Sequence, residues 1–174
     1  AHTDLILRRG HGDYAFLGRT RDNAAGEAFD KAARIIGLGY PGGPAIELVA
    51  KDITPSYKMP RALLGDSLDF SFSGLKTAVL HKAQLLGLYP SSDGGPNRWL
   101  VAELAAAFQE AVVEVIAKKA IEAVSRYHAK GLVLGGGVSA NSALREACRQ
   151  APVPVIIPAP KLCTDNGSMI GAAG

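Results

Sequence analysis

The chain has 174 residues, enough for one domain, or one with a small appendage, and for a real apolar core. Hydrophobic residues make up 48% and charged residues 20%, and no apolar run approaches membrane-spanning length, which reads as a soluble globular chain. A net charge of +3 is too mild to argue for nucleic acid by itself, and aromatics at 6% provide no stacking platform for single strands. Cys148 and Cys163 are far apart and form no CxxC, which favours a reduced, cytoplasmic setting over a disulfide framework. The opening residues are polar at once, so no signal peptide is read there.

The segment His2 to Arg9 has the character of a strand, 10–13 of a turn and Tyr14 to Arg19 of a second strand, which together predict a hairpin. Ala24 to Ile36 predicts a helix, with Ala28, Ala32, Ile35 and Ile36 at helical spacing and Gly37 or Gly39 to stop it. Residues 40–44 form a rigid Pro-Gly-Gly-Pro loop, and Pro44 suits the first position of a helix over Ala45 to Lys51. Residues 52–69 are irregular, with Pro55 and Pro60, and predict a surface excursion. Phe70 to Phe72 alternates like a short strand, and Ser73 is placed to cap a helix running through Lys76, Leu80 and Leu85. Residues 89–96 have loop chemistry.

A long helix follows, about Arg98 to His128, with Val101, Leu104, Phe108, Val112, Val115 and Ile116 as its apolar stripe. Lys118, Lys119, Glu122, Arg126 and Lys130 make its other face, read as solvated, with an RNA-facing patch as the alternative. Leu132 to Leu134 suits a buried strand, Gly135, Gly136 and Gly137 a turn, and Ser142 to Arg149 a helix opened by Ser139 or Asn141. A strand-glycine-helix junction lets backbone approach a nucleotide, because glycine has no Cβ and a helix start carries free N–H donors. The same residues also fit a plain tight turn. Val153 to Ile157 reads as an edge strand or a strand start because of Pro154. Thr164, Asp165 or Asn166 can cap a last helix.

Four places carry residue types with chemistry. Asn141 can read a base edge, bind phosphate or cap its own helix. Asp30, one turn after Glu27, can hold the two hydroxyls of a ribose or belong to a solvated pair. Gly42 and Gly43 at a helix start, with Glu47 a turn further, can admit phosphate or sugar or merely turn the chain. Asp165 can ligate a metal or cap a helix. His2, His11, His81 and His128 show no HxxxH or HExxH spacing, so a metal site from these residues alone is incomplete. Ser73-Gly-Leu-Lys76 matches an acylating S-x-x-K, but its companion motifs are absent. Gly135 to Ala140 matches a dinucleotide fingerprint, but the acid expected about 20 residues on is missing: Ile156, Ile157 and Pro158 stand there.

Asp22-Asn-Ala-Ala-Gly-Glu-Ala-Phe-Asp-Lys31, Tyr40-Pro-Gly-Gly-Pro44, Asp69-Phe-Ser-Phe-Ser-Gly-Leu-Lys-Thr77, Gly135-Gly-Gly-Val-Ser-Ala-Asn141 and Cys163-Thr-Asp-Asn-Gly167 occur in this order. Together they resemble the TsaD family (also Gcp or YgjD), the tRNA N6-adenosine threonylcarbamoyltransferases once labelled glycoprotein endopeptidases. The resemblance implies an α/β fold of the ASKHA type (actin, sugar kinases, Hsp70), a ribonuclease-H-like lobe with a central mixed sheet flanked by helices. It implies that residues 1–174 are one domain, the second of two lobes. It implies transfer of a threonylcarbamoyl group from threonylcarbamoyl-AMP to N6 of the adenosine 3′ of the anticodon in tRNAs reading ANN codons. Asp30, Gly43, Gly135, Gly136 and Asn141 match positions that hold the nucleotide part, and Glu47 matches one more weakly. Asp165 matches a metal position, iron or zinc, whose other ligands are histidines of an HxxxH motif in the first lobe. TsaB and TsaE are the family's partner proteins, and a bacterial-type cytoplasmic location goes with them.

The chain departs from that pattern. The first lobe and a Ser-Gly-Gly before His2 are not in it, Ala1 stands for a Gly, and Asn23 stands for an Asp. The alternatives are an ASKHA-type kinase, which needs a phosphate loop not found here, a metalloprotease, which needs HExxH, and a non-catalytic paralogue, which has no use for Asp30, Asn141 and Asp165. The expectation is an excised lobe that alone binds metal weakly and transfers nothing. An exposed apolar cleft face should make it self-associate; light scattering should show mass rising with concentration, and a clean monomer throughout would refute this.

Overall fold

A computed structural model describes residues 2–90 and 97–164, together with Gly167 and Gly171. The order of elements is β1 (Leu5–Gly10), β2 (Asp13–Gly18), α1 (Ala25–Ile35), α2 (Gly42–Ala50), α3 (Ser73–Leu85), α4 (Arg98–Arg126), β3 (Leu132–Val133), α5 (Ser142–Cys148) and β4 (Val155–Ile156). Short 3₁₀ turns at Gly137–Ala140 and Pro160–Leu162 complete it. The class is mixed α/β. The loop over 91–96 and the cap residues Asp165 and Asn166 lie outside the described residues.

The predicted hairpin forms: β1 and β2 pair antiparallel, Ile6 opposite Phe16 and Arg8 opposite Tyr14. β3 and β4 pair parallel, Leu132 beside Val155 and Val133 beside Ile156. The single central sheet expected is not present among the described residues. There are two separate two-stranded sheets, and Phe70–Phe72 contributes only an isolated bridge from Phe70 to Thr20.

Helix α4 is the spine, packing against α1, α2, α3 and α5. Its predicted stripe is buried, Ile116 partly, and alanines widen it: Ala105, Ala106, Ala107, Ala111, Ala117 and Ala120 are buried too. Small side chains let neighbouring helices come close, and Phe29 of α1 meets Phe108 edge to face at 5.2 Å between ring centres. Asn97 caps the helix, accepting from the N–H groups of Trp99 and Leu100. No helix among the described residues is long and apolar enough to cross a membrane.

Three local expectations need correction. Helix α2 starts at Gly42, so Pro44 is its third residue and the glycines lie inside it. Asp30 on α1 is the reason: its Oδ1 accepts the Gly42 N–H at 2.8 Å, filling a donor that a helix start leaves open. Ser73 does not cap α3. Asp22 does so from across the fold, its Oδ1 accepting the N–H groups of Phe72 and Ser73 at 2.9 and 3.3 Å. Burial works to raise the Asp22 carboxyl, but hydrogen bonds from Ser71, Phe72, Asn23 and Ser73 outweigh it and hold it below the ordinary carboxylate value. Lys119 is not on a solvated face. It is buried, and its Nζ donates to the carbonyls of Leu63 and Ser67 at 2.7 and 2.5 Å. Desolvation pushes its ammonium below the usual lysine range.

Those carbonyls belong to the excursion 52–69, which is irregular as predicted but clamped along α4. The Ser56 N–H donates to Glu103, and Arg61, only 11% exposed in its side chain, donates to Glu110 and Glu114 at 2.8 Å each. Arg126 donates to the Asp66 carbonyl at 3.0 Å. The hairpin's exit is locked to the same segment. A Cβ on Gly18 would lie 2.1 Å from the Leu68 carbonyl oxygen, so only glycine fits.

Two pairs of neighbours should behave oppositely. Lys119→Met removes a donor from two carbonyls and should cost about 1–3 kcal/mol in urea unfolding, whereas exposed Lys118→Met should stay within about 0.5 kcal/mol. Gly42→Ala would drive a Cβ to 2.5 Å from the Asp30 Cα and should cost about 2–3 kcal/mol. Gly43→Ala meets nothing within 4 Å and should be neutral or stabilising by up to about 1 kcal/mol, from helix propensity. Equal melting shifts for the two alanine variants would contradict the close α1–α2 contact.

Candidate functional site

A cleft of about 580 Å³ opens between the N-terminal part of β1, the α1–α2 corner and the glycine turn. Asp30, Gly43, Glu47, Gly135, Gly136 and Asn141 all line it, although they come from three separate stretches of sequence. What brings them together is a chain of hydrogen bonds between helix starts. Asp30 seats the first N–H of α2, which sets the direction of that helix. A turn on, Glu47 reaches α5, where its Oε1 accepts the Ser142 N–H at 2.8 Å and also the Ser142 hydroxyl. Asn141 then caps α5, its Oδ1 accepting the Leu144 N–H at 3.0 Å. Its Nδ2 donates to Gln109 Oε1 on α4 at 2.7 Å.

Both ends of the Asn141 amide are therefore engaged inside the protein, and the side chain is buried. Among its possible roles, helix capping is the one this geometry displays. The N–H groups of Ser142 and Leu144 already have protein acceptors, so the start of α5 is not an open anion seat. Asp30 differs: one carboxylate oxygen is fixed by Gly42, and an ionised carboxylate has acceptor capacity beyond that single bond. Glu27 is not a solvated partner to it, because its Oε2 accepts the Ala24 N–H of its own helix.

The glycine turn is not a direct strand-to-helix step. A 3₁₀ turn, Gly137–Ala140, intervenes, and the Ser139 hydroxyl donates back to the Gly136 carbonyl at 2.6 Å. Gly136 has φ +84°, which a side chain resists. No atom lies within 4 Å of where a Cβ would sit on Gly135 or Gly136, so the turn presents bare backbone to the cleft. Arg145 braces it from behind, with Nε donating to the Ser139 carbonyl at 2.7 Å and a second nitrogen to the Pro158 carbonyl.

Several residues of the site had no signal in the sequence. The Thr3 hydroxyl accepts the Ala25 N–H at 2.9 Å, while Thr3's own backbone N–H and C=O bond the hydroxyl of Thr20. Gln109 stands beside Glu110 on α4, and nothing in its sequence setting separates it from the solvated residues of that helix. Asn23, singled out in the sequence only as a departure from the family pattern, is not among the cleft-lining residues and links α3 to α1, donating to Ser73 at 2.5 Å and accepting from Lys31. Cys148 forms part of the cleft wall. Burial pushes its thiol up to about 11, so it stays protonated at neutral pH and acts as an apolar surface, not a nucleophile. Asp165 lies outside the described residues, although its neighbour Thr164 lines the cleft. Among the described residues, no three His, Cys, Asp or Glu side chains come together as a metal site.

Comparison with known proteins agrees with the motif order. Residues 1–172 match the sequence model of a family described as TsaD, tRNA N6-adenosine threonylcarbamoyltransferase. A protein of that name from Thermomicrobium roseum is 52% identical over 188 residues, which cover 99% of this chain and 51% of the relative. One from Dehalococcoides mccartyi is 48% identical over 174 residues, and one from Symbiobacterium thermophilum 50% over 178, each covering 99% of this chain and 50% of the relative. The chain spans about half the length of the curated relatives it matches. With a match over nearly its whole length, the chain belongs to the TsaD family.

Proposed function

We propose that this chain forms the adenylate-facing half of a threonylcarbamoyl-transfer cleft that acts on tRNA. The observation that carries it is the convergence of Asp30, Gly43, Glu47, Gly135, Gly136 and Asn141 on one cavity. In this reading the fold is an ASKHA-type lobe and the substrate is threonylcarbamoyl-AMP. The N6 amine of the tRNA adenosine attacks the threonylcarbamoyl carbonyl carbon. A C–N bond forms as the C–O bond to the adenylate phosphate breaks. AMP leaves with the electron pair, and the amine gives up a proton.

The chain's own residues bind and orient. Asp30, held by the Gly42 N–H, offers its remaining acceptor capacity to ribose hydroxyls. Gly43 has no neighbour within 4 Å of a Cβ position, which leaves room for the sugar. Gly135 and Gly136 let the nucleotide lie against backbone. Glu47 and Asn141 work indirectly, fixing α5 and so the far wall. An iron or zinc ion at Asp165 belongs to the same proposal; its further ligands lie outside the described residues, and no step is assigned to it. Work in the cytoplasm with TsaB and TsaE completes the reading.

Titration of the chain with AMP, followed by amide NMR, tests it. Shifts should cluster at 26–43 and 135–141. Gly43→Val should weaken binding about tenfold, roughly 1.4 kcal/mol, with an unchanged melting temperature. Shifts confined to other surfaces, or full affinity in Gly43→Val, would overturn the assignment.

A further inference from the structure

Two arginines of the hairpin region are held without an acid. Arg9, Arg21, Arg61, Arg126 and Arg149 each pair with a carboxylate. Arg8 and Arg19 have no such partner among the described residues. Arg19 lies instead over the Phe16 ring, its guanidinium carbon 3.5 Å from the ring centre. The ring orients the guanidinium but leaves its charge unneutralised, so its N–H fork suits an anion. Phe16 and Arg19 line a second cavity of about 550 Å³, together with His2, Asp4, Thr20 and Asp22. His2 and Asp4 line the main cleft too, so the two cavities adjoin across the start of the chain's first strand. Of the two acids there, Asp22 is committed to Ser71, Phe72 and Ser73, which leaves Asp4.

The same face continues along the hairpin, away from the cavity. Phe16 stands opposite Ile6 and Tyr14 opposite Arg8, and cross-strand partners share a face. Ile6, Tyr14 and Phe16 are 51, 60 and 54% exposed, whereas Leu7 and Ala15 between them turn inward and are half-buried. Over the whole chain aromatics are too few to make a stacking platform, but two rings on one face make a local one. The basic face of α4, the alternative place for RNA, is largely spent: Lys119 and Arg126 donate to the Ser67 and Asp66 carbonyls.

We propose that the outer face of this hairpin is a track for an unpaired RNA strand leading to the cleft. Arg19, steadied by Phe16, takes one backbone phosphate beside the cleft, Arg8 takes a second, and Tyr14 carries a stacked base between solvent and sheet. A strand fits better than a mononucleotide, because Arg8 and Tyr14 lie beyond the residues that line the second cavity. A duplex hides the faces of its bases and would leave Tyr14 unused. The proposal rests on the tRNA-acting reading and adds where the RNA lies.

An end-labelled anticodon stem-loop RNA, titrated with the full 174-residue chain at several salt concentrations, tests the track by fluorescence anisotropy. Arg19→Ala and Arg8→Ala should each weaken binding several-fold and lower the slope of log affinity against log salt by about one. Both side chains are exposed, so circular dichroism should not change; if one variant misfolds, the other still decides. Tyr14→Ala should weaken binding about tenfold with an unchanged slope, and Tyr14→Phe should restore it. Arg34→Ala, on α1 and away from both cavities, should change nothing. The track is overturned if the stem-loop does not bind, if both hairpin arginine variants bind it as the parent chain does, if Arg34→Ala weakens it equally, or if a duplex RNA binds as tightly. AMP should bind Arg19→Ala normally; an equal loss for AMP would assign Arg19 to the adenylate phosphate and also overturn the track. Arginine-dependent RNA binding by a chain that AMP fails to shift would count against the adenylate reading alone.

Discussion

The α1–α2 corner is a contact between two backbones. Gly42 sits against Phe29 and Asp30 with no room for a methyl group, and Asp30 takes the first N–H of the second helix. That contact sets where α2 points. From that direction follows the reach of Glu47 to Ser142, and from Glu47 and Asn141 the seating of α5 beside the glycine turn. The cleft is the space these helix starts leave when each has found an acceptor from another element. A helix end cannot be left dry and unpaired, and here the partners are carboxylates and an amide lent across the fold.

That economy explains why the residues picked out for ligand chemistry also have structural duties. Asp30, Glu47 and Asn141 each bond to backbone N–H groups at helix starts. The motif residues therefore carry stability as well as any recognition. Glycines divide the same way. Gly42 and Gly18 are glycines because backbone passes too close for a Cβ, while Gly43 and Gly135 face open space. Only the second kind is free for a ligand, and only the folded chain separates the two.

Much of the fold was legible from period and punctuation. The hairpin, α1, α3, α4 and the junction around Asn141 follow from apolar spacing and turn residues, since these signals are local. Errors fell where a distant group overrode a local one. Ser73 has good capping chemistry but Asp22, fifty-one residues away, does the capping. Pro44 suggested a helix start, yet the carboxylate of Asp30 begins it earlier. Lys119 has the sequence signature of a solvated charge, and nothing nearby in the chain announces the two carbonyls that bury it. In the site, the gathering of residues was foreseeable from motif order, but the pairing of Asn141 with Gln109 and of Glu47 with Ser142 was not, because no spacing rule links 32 or 95 residues.

The excursion over 52–69 has a mechanical meaning that its irregular backbone conceals. It is tied to the spine helix at Ser56, Arg61, Leu63, Asp66 and Ser67, and Leu68 is wedged against the hairpin's exit at Gly18. A segment fastened every few residues is a splint rather than a tether. It couples the hairpin to α4 and leaves little slack for added length, so an inserted tag or an engineered chain break there would strain both, unlike one at the hairpin tip around His11, where the backbone is exposed and bears no such ties.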